Sequence, residues 1–420
     1  MKTDKTYIDE VRDIIVASTK YIVTDSDNIF YVKPVLSNES GDVTTNIAIL
    51  IAQSIGDITK ADSIAKEIAS SLELRLSIEK AEVIQRGIIN ITFSESYKIR
   101  KLNEIEIKAK YSVLIEYRES FNKTLKLGNY RVKTIASVLS NLCSLKCGQY
   151  PDINIEVRDT YIDKVNFKKN KIFKQLEDRG MIICQTHDNK TKFFIKGYKE
   201  ELRVSNELLQ DIQYYIYKLE HYDKIITLRY CEPYKEEQLR YVLRILDIDD
   251  SKIIFKNVSA LFGKDKNDSL DIISTIGESE IKYLILSVDS NSQIDSIKDG
   301  YIKQIKSDIE SINLTVRQID SLFKKSELTT QDVQEISRIQ SKEIGLIDML
   351  QRYDYTVDKA ISSLSTKELV HYLKKLSEEF QLYYHKNTIL SNYHSVLKYR
   401  MSVLLRVKAV IEDIKRILIL

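Results

Sequence analysis

From Gly300 to Leu420 the chain contains no proline and one further glycine, Gly345. These are the two residues that interrupt helices most strongly, one by lacking an N–H, the other by leaving the backbone unconstrained. A run of this length without them, with apolar residues at helical spacing, is committed to a bundle of helices. The last helix, predicted over Tyr393–Ile419, sets Val396, Leu397, Met401, Leu404, Leu405, Val407, Val410, Ile411, Ile414 and Ile417 on one broad stripe that neighbouring helices must cover. The scarcity extends through the chain, which has 11 glycines and 3 prolines in 420 residues, against averages of roughly 7% and 5%. Few positions remain where bare backbone can wrap a phosphate, which weighs against a fully equipped nucleotide-dependent enzyme.

Upstream the pattern changes. Residues 4–24 predict a helix through Ile8, Val11, Ile14 and Ile15, followed by an extended piece, Ile29–Pro34. Thr44–Gln53 predicts a short buried helix, and Asp62–Leu74 a second with Ile64, Ala65, Ile68, Ala69 and Leu72 on one face. Two strands, Ile78–Ile84 and Ile88–Phe93, join at Gln85-Arg-Gly87 and close a small α/β domain over 1–95. Residues 96–110 predict a linking helix. Over 111–298, strand Tyr111–Tyr117, helix Tyr130–Leu145, helix Phe173–Arg179, strand Lys224–Leu228, helix Lys235–Leu246 and strand Ile253–Val258 follow one another. That β-α-β rhythm predicts a parallel sheet with helices on its faces. With 299–420 as the bundle, the fold class is α/β plus all-α.

Other classes drop out on simple grounds. Cys143, Cys147, Cys184 and Cys231 are too few and too irregular for a disulfide framework, and Cys143-x3-Cys147 has no second half to complete a zinc site. No metal is expected. The amino terminus opens polar and no apolar run reaches the length of a membrane span, so a cytoplasmic protein without membrane contact is expected. Lys+Arg is 64 against 61 Asp+Glu, a net charge of +3, so any nucleic-acid binding must come from patches. The densest patch is Lys164, Lys168, Lys169, Lys171 and Lys174. The last helix adds Lys398, Arg400, Arg406, Lys408, Lys415 and Arg416. Such runs are more often solvated faces than contacts.

Specific stretches carry a resemblance. Residues 41–93, with G-D-x-x-T-N-x-A at their start and V-x-x-x-G-x-I-N near their end, resemble the amino-terminal domain of arginyl-tRNA synthetases. Residues 113–131 (VLIEYRESFNKTLKLGNYR) are similar to that family's first strand and signature loop, which ends in H-x-G-H-x-R. Asp211-Ile-Gln-Tyr214 with Lys218, and Ile276-Gly277 with Tyr283 and Leu286, resemble two later motifs. Phe380, Tyr383, Tyr384, Ile389 and Leu390 resemble the family's anticodon-binding helices. The resemblance implies a truncated Rossmann-like middle domain and a carboxyl-terminal bundle of anticodon-binding type. It also implies tRNA contacts at Asn90 and Phe93, by the family's first domain, and at Tyr383, Tyr384 and Asn387. Arg400, Arg406, Lys168, Lys169 and Lys171 are added from their charge.

The departures set the expected function. The two signature histidines, which in this family stabilise charge developing on the α-phosphate, fall on Lys126 and Asn129; Gly128 and Arg131 keep the pattern. The family's G-A-D-H-x-G adenosine strand is replaced by Arg229-Tyr-Cys-Glu-Pro233. Its mobile K-M-S-K loop is missing from Ala260–Leu270. The chain also ends on Ile-Leu-Ile-Leu420, without the polar tail of the family, from which blunted anticodon reading is expected. Together these imply a non-catalytic arginyl-tRNA synthetase-like protein acting as a tRNA-binding or scaffold protein. Its partner would be an arginine-accepting tRNA, or proteins of an RNA-handling complex, and not DNA. No cofactor is expected, with ATP needed only if activity is retained. The alternatives are a divergent active ligase, with Lys126 standing in for a histidine, and a structural subunit that does not itself bind tRNA.

Overall fold

The computed structural model describes residues 7–19, 30–35, 40–103, 113–117, 126–147, 152–155, 170–187, 190–198, 202–230, 234–259, 261, 276–293, 299–329, 336 and 338–420. It divides into two compact units, Met1–Lys108 with Lys303–Leu420, and Ala109–Ile302. The linker beyond Asn103, Lys164, Lys168 and Lys169, Cys231 to Pro233 and all of Ala260–Leu270 except Leu261 lie outside the described residues.

The first part of the chain forms α1 (Tyr7–Val16), β1 (Val32–Pro34), β2 (Val43–Thr45), α2 (Ile47–Ser54), α3 (Ala61–Glu73), β3 (Ile78–Val83), β4 (Ile89–Phe93) and α4 (Glu95–Asn103). The antiparallel sheet runs β1-β2-β4-β3. Ile47, Ile51, Ile64, Ile68 and Leu72 from the helices close over Ile89, Ile91 and Phe93 from β4. The helix expected from Thr44 instead begins at Ile47. Thr44 and Thr45 are β-branched and pair with Asn90 and Ile89, and the Asn46 side chain accepts from the Tyr31 N–H (2.9 Å), so the backbone stays extended until the strand is used up. The β3–β4 turn has positive φ at Arg86 (49°) and Gly87 (81°). A Cβ on Gly87 would lie 2.9 Å from the Ala61 Cβ, and its N–H donates to Asp62 Oδ1 (2.7 Å), so turn and helix are locked together.

The second unit holds β5 (Val113–Tyr117), α5 (Lys126–Cys147), β6 (Asp152–Ile155), α6 (Lys171–Asp178), β7 (Ile182–His187), β8 (Lys190–Ile195), β9 (Leu202–Arg203), α7 (Asn206–His221), β10 (Lys224–Tyr230), α8 (Tyr234–Ile245), β11 (Ile253–Val258) and α9 (Glu278–Ser287). The parallel sheet has the order β11-β10-β5-β6, as the β-α-β rhythm predicts. A three-stranded antiparallel sheet, β7-β8-β9, was not anticipated. It packs on α6, with Phe193 edge-on to Phe173 at 5.1 Å between centroids.

The bundle comprises α10 (Asp299–Ser326), α11 (Ile344–Ser363), α12 (Lys367–Lys386) and α13 (His394–Leu418). Glycine poverty shows at its helix ends: α11 and α13 finish on the left-handed residues Leu364 (φ 50°) and Ile419 (φ 59°), positions where glycine avoids a strain of about 1 kcal/mol. Among the described residues no helix is long and apolar enough to cross a membrane.

Within the first unit, α4 docks on the bundle. Glu95 Oε1 accepts from the Ile339 N–H (2.7 Å), and Arg406 Nε donates to the Leu102 carbonyl (3.3 Å). Phe93, Tyr97, Lys101, Leu350, Asp354 and Val410 enclose a small cavity along this seam. Burial, reinforced by the Asp358 charge and only partly offset by Lys101, pushes the Asp354 carboxyl up to about 6. A carboxyl raised in the folded state contributes stability that is complete below its unfolded pKa of about 4 and is lost as pH rises through about 6. Asp354→Asn is therefore expected to raise stability at pH 7.5 by on the order of 2 kcal/mol, with the gain vanishing below pH ~4. Urea unfolding of both chains across that range checks the sign; a variant destabilised at pH 7.5 would contradict it.

Candidate nucleic-acid interface

Two places bear on function. In the parallel sheet the chain runs from β5 to β6 on one side and returns to β10 on the other, so the strand order reverses between β5 and β10. Ligands of such sheets bind there, outside the carboxyl ends of the strands. Helix α5 starts at this edge with Lys126, and a helix amino terminus attracts anions. Gly128 is buried and Asn129 half-buried in its first turn.

Arg131 is fully buried. Its Nη1 donates to the carbonyls of Ser259 (2.8 Å) and Ser292 (2.9 Å), and its Nη2 to that of Asp289 (2.8 Å). The guanidinium thus ties the segment after β11 to the segment after α9. The one signature side chain that keeps its charge is engaged as a brace.

Carboxylates approach the same region. The Tyr130 hydroxyl donates to Glu278 Oε1 (3.5 Å), which also takes Lys282 Nζ at 2.9 Å. Burial, with the Glu278 charge, raises the Tyr130 hydroxyl above its ordinary value, and Lys282 holds Glu278 below the usual range. At the N-cap of α9, Gly277 has φ 110°, and a Cβ there would collide with the Glu280 carboxylate. The positive end of α9 is thus covered by the protein's own acid. Among the described residues no three His, Cys, Asp or Glu side chains converge to hold a metal.

The second place is one end of the bundle. Tyr383 is buried and donates to Glu343 Oε1 (2.7 Å), whereas Tyr384 is half-buried. Asn387 Nδ2 donates back to the Tyr383 carbonyl (3.0 Å). Beyond it His385, Lys386, Thr388, Leu390, Asn392, Tyr393 and His394 are exposed, Tyr393 by 76%. No carboxylate occurs in the sequence between Glu379 and Glu412. An aromatic ring on an acid-free, cation-bearing loop suits an unpaired base with its phosphates.

Several expected contacts are corrected. Asn90 and Phe93 are buried at 2% exposure; Asn90 Nδ2 donates to the Ser40 carbonyl (2.9 Å), and Phe93 stacks on Tyr97 with centroids 4.6 Å apart. Both are core residues of the first sheet. Tyr383 and Arg400 are held in the bundle interior by Glu343. The positive excess on α13 is largely consumed internally: Arg406 braces Leu102, Lys408 pairs with Asp320, Lys415 with Asn313 and Arg416 with Asp413. Lys171 opens α6 and is exposed, while Lys168 and Lys169 lie outside the described residues. Tyr393 and Leu390 are the surface residues the sequence reading did not single out for contact; the acid-free stretch around them was the available signal.

Residues 9–93 match the family model for the arginyl-tRNA synthetase N-terminal domain, and residues 312–419 that for the DALR anticodon-binding domain. A curated relative, the arginine–tRNA ligase of Lawsonia intracellularis, is 36% identical over 115 residues, covering 24% of this chain and 20% of its own length. Among solved structures, Thermus thermophilus arginyl-tRNA synthetase superposes with a TM-score of 0.75 at 11% identity, over 98% of each chain. Arginyl-tRNA synthetase from Plasmodium falciparum gives 0.67 at 14% identity, over 100% of this chain and 99% of that one. The chain thus carries, at its two ends and in order, matches to two domain models of arginyl-tRNA synthetases, on a fold it shares with those enzymes.

Proposed function

We propose that the protein is a non-catalytic member of this family that binds tRNA, an arginine-accepting one by preference, and holds it as a scaffold. The observation that carries the reading is the opposite chemistry of the two places. Glu278 sits on Tyr130, within the first turns of the helix whose amino terminus would have to meet a triphosphate. The exposed loop after α12 presents Tyr393 and Lys386 in a stretch free of acids. The first place sets a carboxylate, already paired with Lys282, where a polyphosphate needs donors, while the second offers a cation and a ring with no acid in its stretch of sequence.

The test is gel-shift binding of total tRNA to the full chain at about 50 and about 200 mM salt. A Kd below ~10 µM is expected at the lower salt. With four phosphate contacts, affinity should fall by about 10²-fold at the higher. No binding at ~10 µM in low salt, or affinity indifferent to salt, refutes the RNA partner and leaves the protein-scaffold role.

A further inference from the structure

Glu343 is completely buried, and its Oε1 accepts both the Tyr383 hydroxyl (2.7 Å) and Arg400 Nε (3.1 Å). Arg400 then reaches onward: its Nη1 donates to the carbonyls of Thr388 (2.6 Å) and Ile389 (3.4 Å). Three side chains from the start of α11, the end of α12 and the second turn of α13 therefore converge, and through Arg400 they grip the backbone of one loop. Ile389 is buried there, while Leu390 and Tyr393 just after it are exposed. A second contact, from the Gln340 N–H to Tyr399 Oη (3.0 Å), holds the segment that carries Glu343.

A buried ion pair is a poor stabiliser compared with apolar packing, because desolvation offsets most of its attraction. What it supplies is a fixed geometry, and here that geometry belongs to the loop between α12 and α13. We infer that the Glu343–Arg400–Tyr383 cluster is a positioning device for RNA binding: it touches no nucleotide and holds residues 388–393 so that the Tyr393 ring is presented to an unpaired base. This rests on the tRNA-binding reading above. Without the clamp the loop orders only upon binding, and the ordering cost appears as lost affinity.

The variants Tyr383→Phe and Arg400→Lys separate this from direct contact. Phenylalanine keeps the ring and removes one hydrogen bond; lysine keeps the charge beside Glu343 but lacks the planar group that reaches the carboxylate through Nε and the loop carbonyls through Nη1. In the full chain, both are expected to weaken tRNA binding by roughly 5–10-fold with the slope of log affinity against log salt unchanged, since no phosphate contact is removed. Amide exchange at 388–393 should accelerate while that of 401–411 does not. Tyr393→Ala is the contrast, losing affinity with loop exchange unaltered. If both clamp variants bind tRNA like the wild type although their loops exchange faster, or if their loops exchange at the wild-type rate, the clamp is overturned. A salt slope shallower by about one unit in Arg400→Lys also overturns it, because Arg400 would then be a phosphate contact. Failure of the wild type to bind tRNA overturns the underlying reading instead.

Discussion

Arg131→Ala is expected to destabilise the unit Ala109–Ile302 by about 3–5 kcal/mol. The side chain is fully buried and donates to three main-chain carbonyls, on Ser259, Asp289 and Ser292. Hydrogen bonds from a charged donor contribute about 1.5–3 kcal/mol each, and a buried acceptor left without a partner costs about 1–3 kcal/mol. The three are not additive, because the two segments can relax together once released. Alanine also leaves a void the size of a guanidinium. Lysine should recover only part of the loss, since a single ammonium cannot span the carbonyls that two nitrogens of one planar group now reach. Urea unfolding followed by amide exchange, read on peptides of this unit, measures the effect. A loss under 1 kcal/mol would show that the brace is dispensable. The size of this effect gives Arg131 a structural reason to be present whatever happens at the phosphate end of α5.

Much of the fold was legible because burial imposes a period. The stripe on α13 and the β-α-β rhythm of β5, α5, β10, α8 and β11 repeat often enough to be read without tertiary information. The β7–β9 sheet was not, since Ile182–His187 and Lys190–Ile195 are half polar and lie beside a highly charged stretch. Thr44 and Thr45 were assigned to a helix on local hydrophobicity, but pairing with β4 decides their state. At the candidate interface the difficulty is different. Adjacent tyrosines at 383 and 384 look alike in sequence; only Glu343, forty positions upstream, determines that the first faces inward. For Arg400 and Arg406, charge suggested RNA, whereas their partners are Glu343 and the Leu102 carbonyl. Long-range pairing is invisible to a reading built on neighbours.

On the proposed reading, the crevice does not activate an amino acid. Lys126 and Asn129 stand where the family's signature carries histidines, and the Glu278–Lys282 pair sits against Tyr130 in the following turn. Losing one preorganised donor to a developing charge typically costs 10²–10³ in rate. Two such positions are altered together with the lysine-rich loop. On that reading, even discounted for non-additivity, about 5 kcal/mol of transition-state stabilisation would be missing, a factor of several thousand. The fold tolerates this because the sheet is held by Ile115, Ile225, Ile226, Leu228 and Ile253, all buried, and not by its ligand edge. Arginine-dependent ATP–pyrophosphate exchange by the pure protein, with tRNA supplied, is the direct test. The account predicts exchange at least several thousand-fold below an ordinary enzymatic rate, from a preparation that still shifts tRNA in low salt. Exchange that turns over at an ordinary enzymatic rate of about 1 per second or more, and that requires arginine, would contradict it.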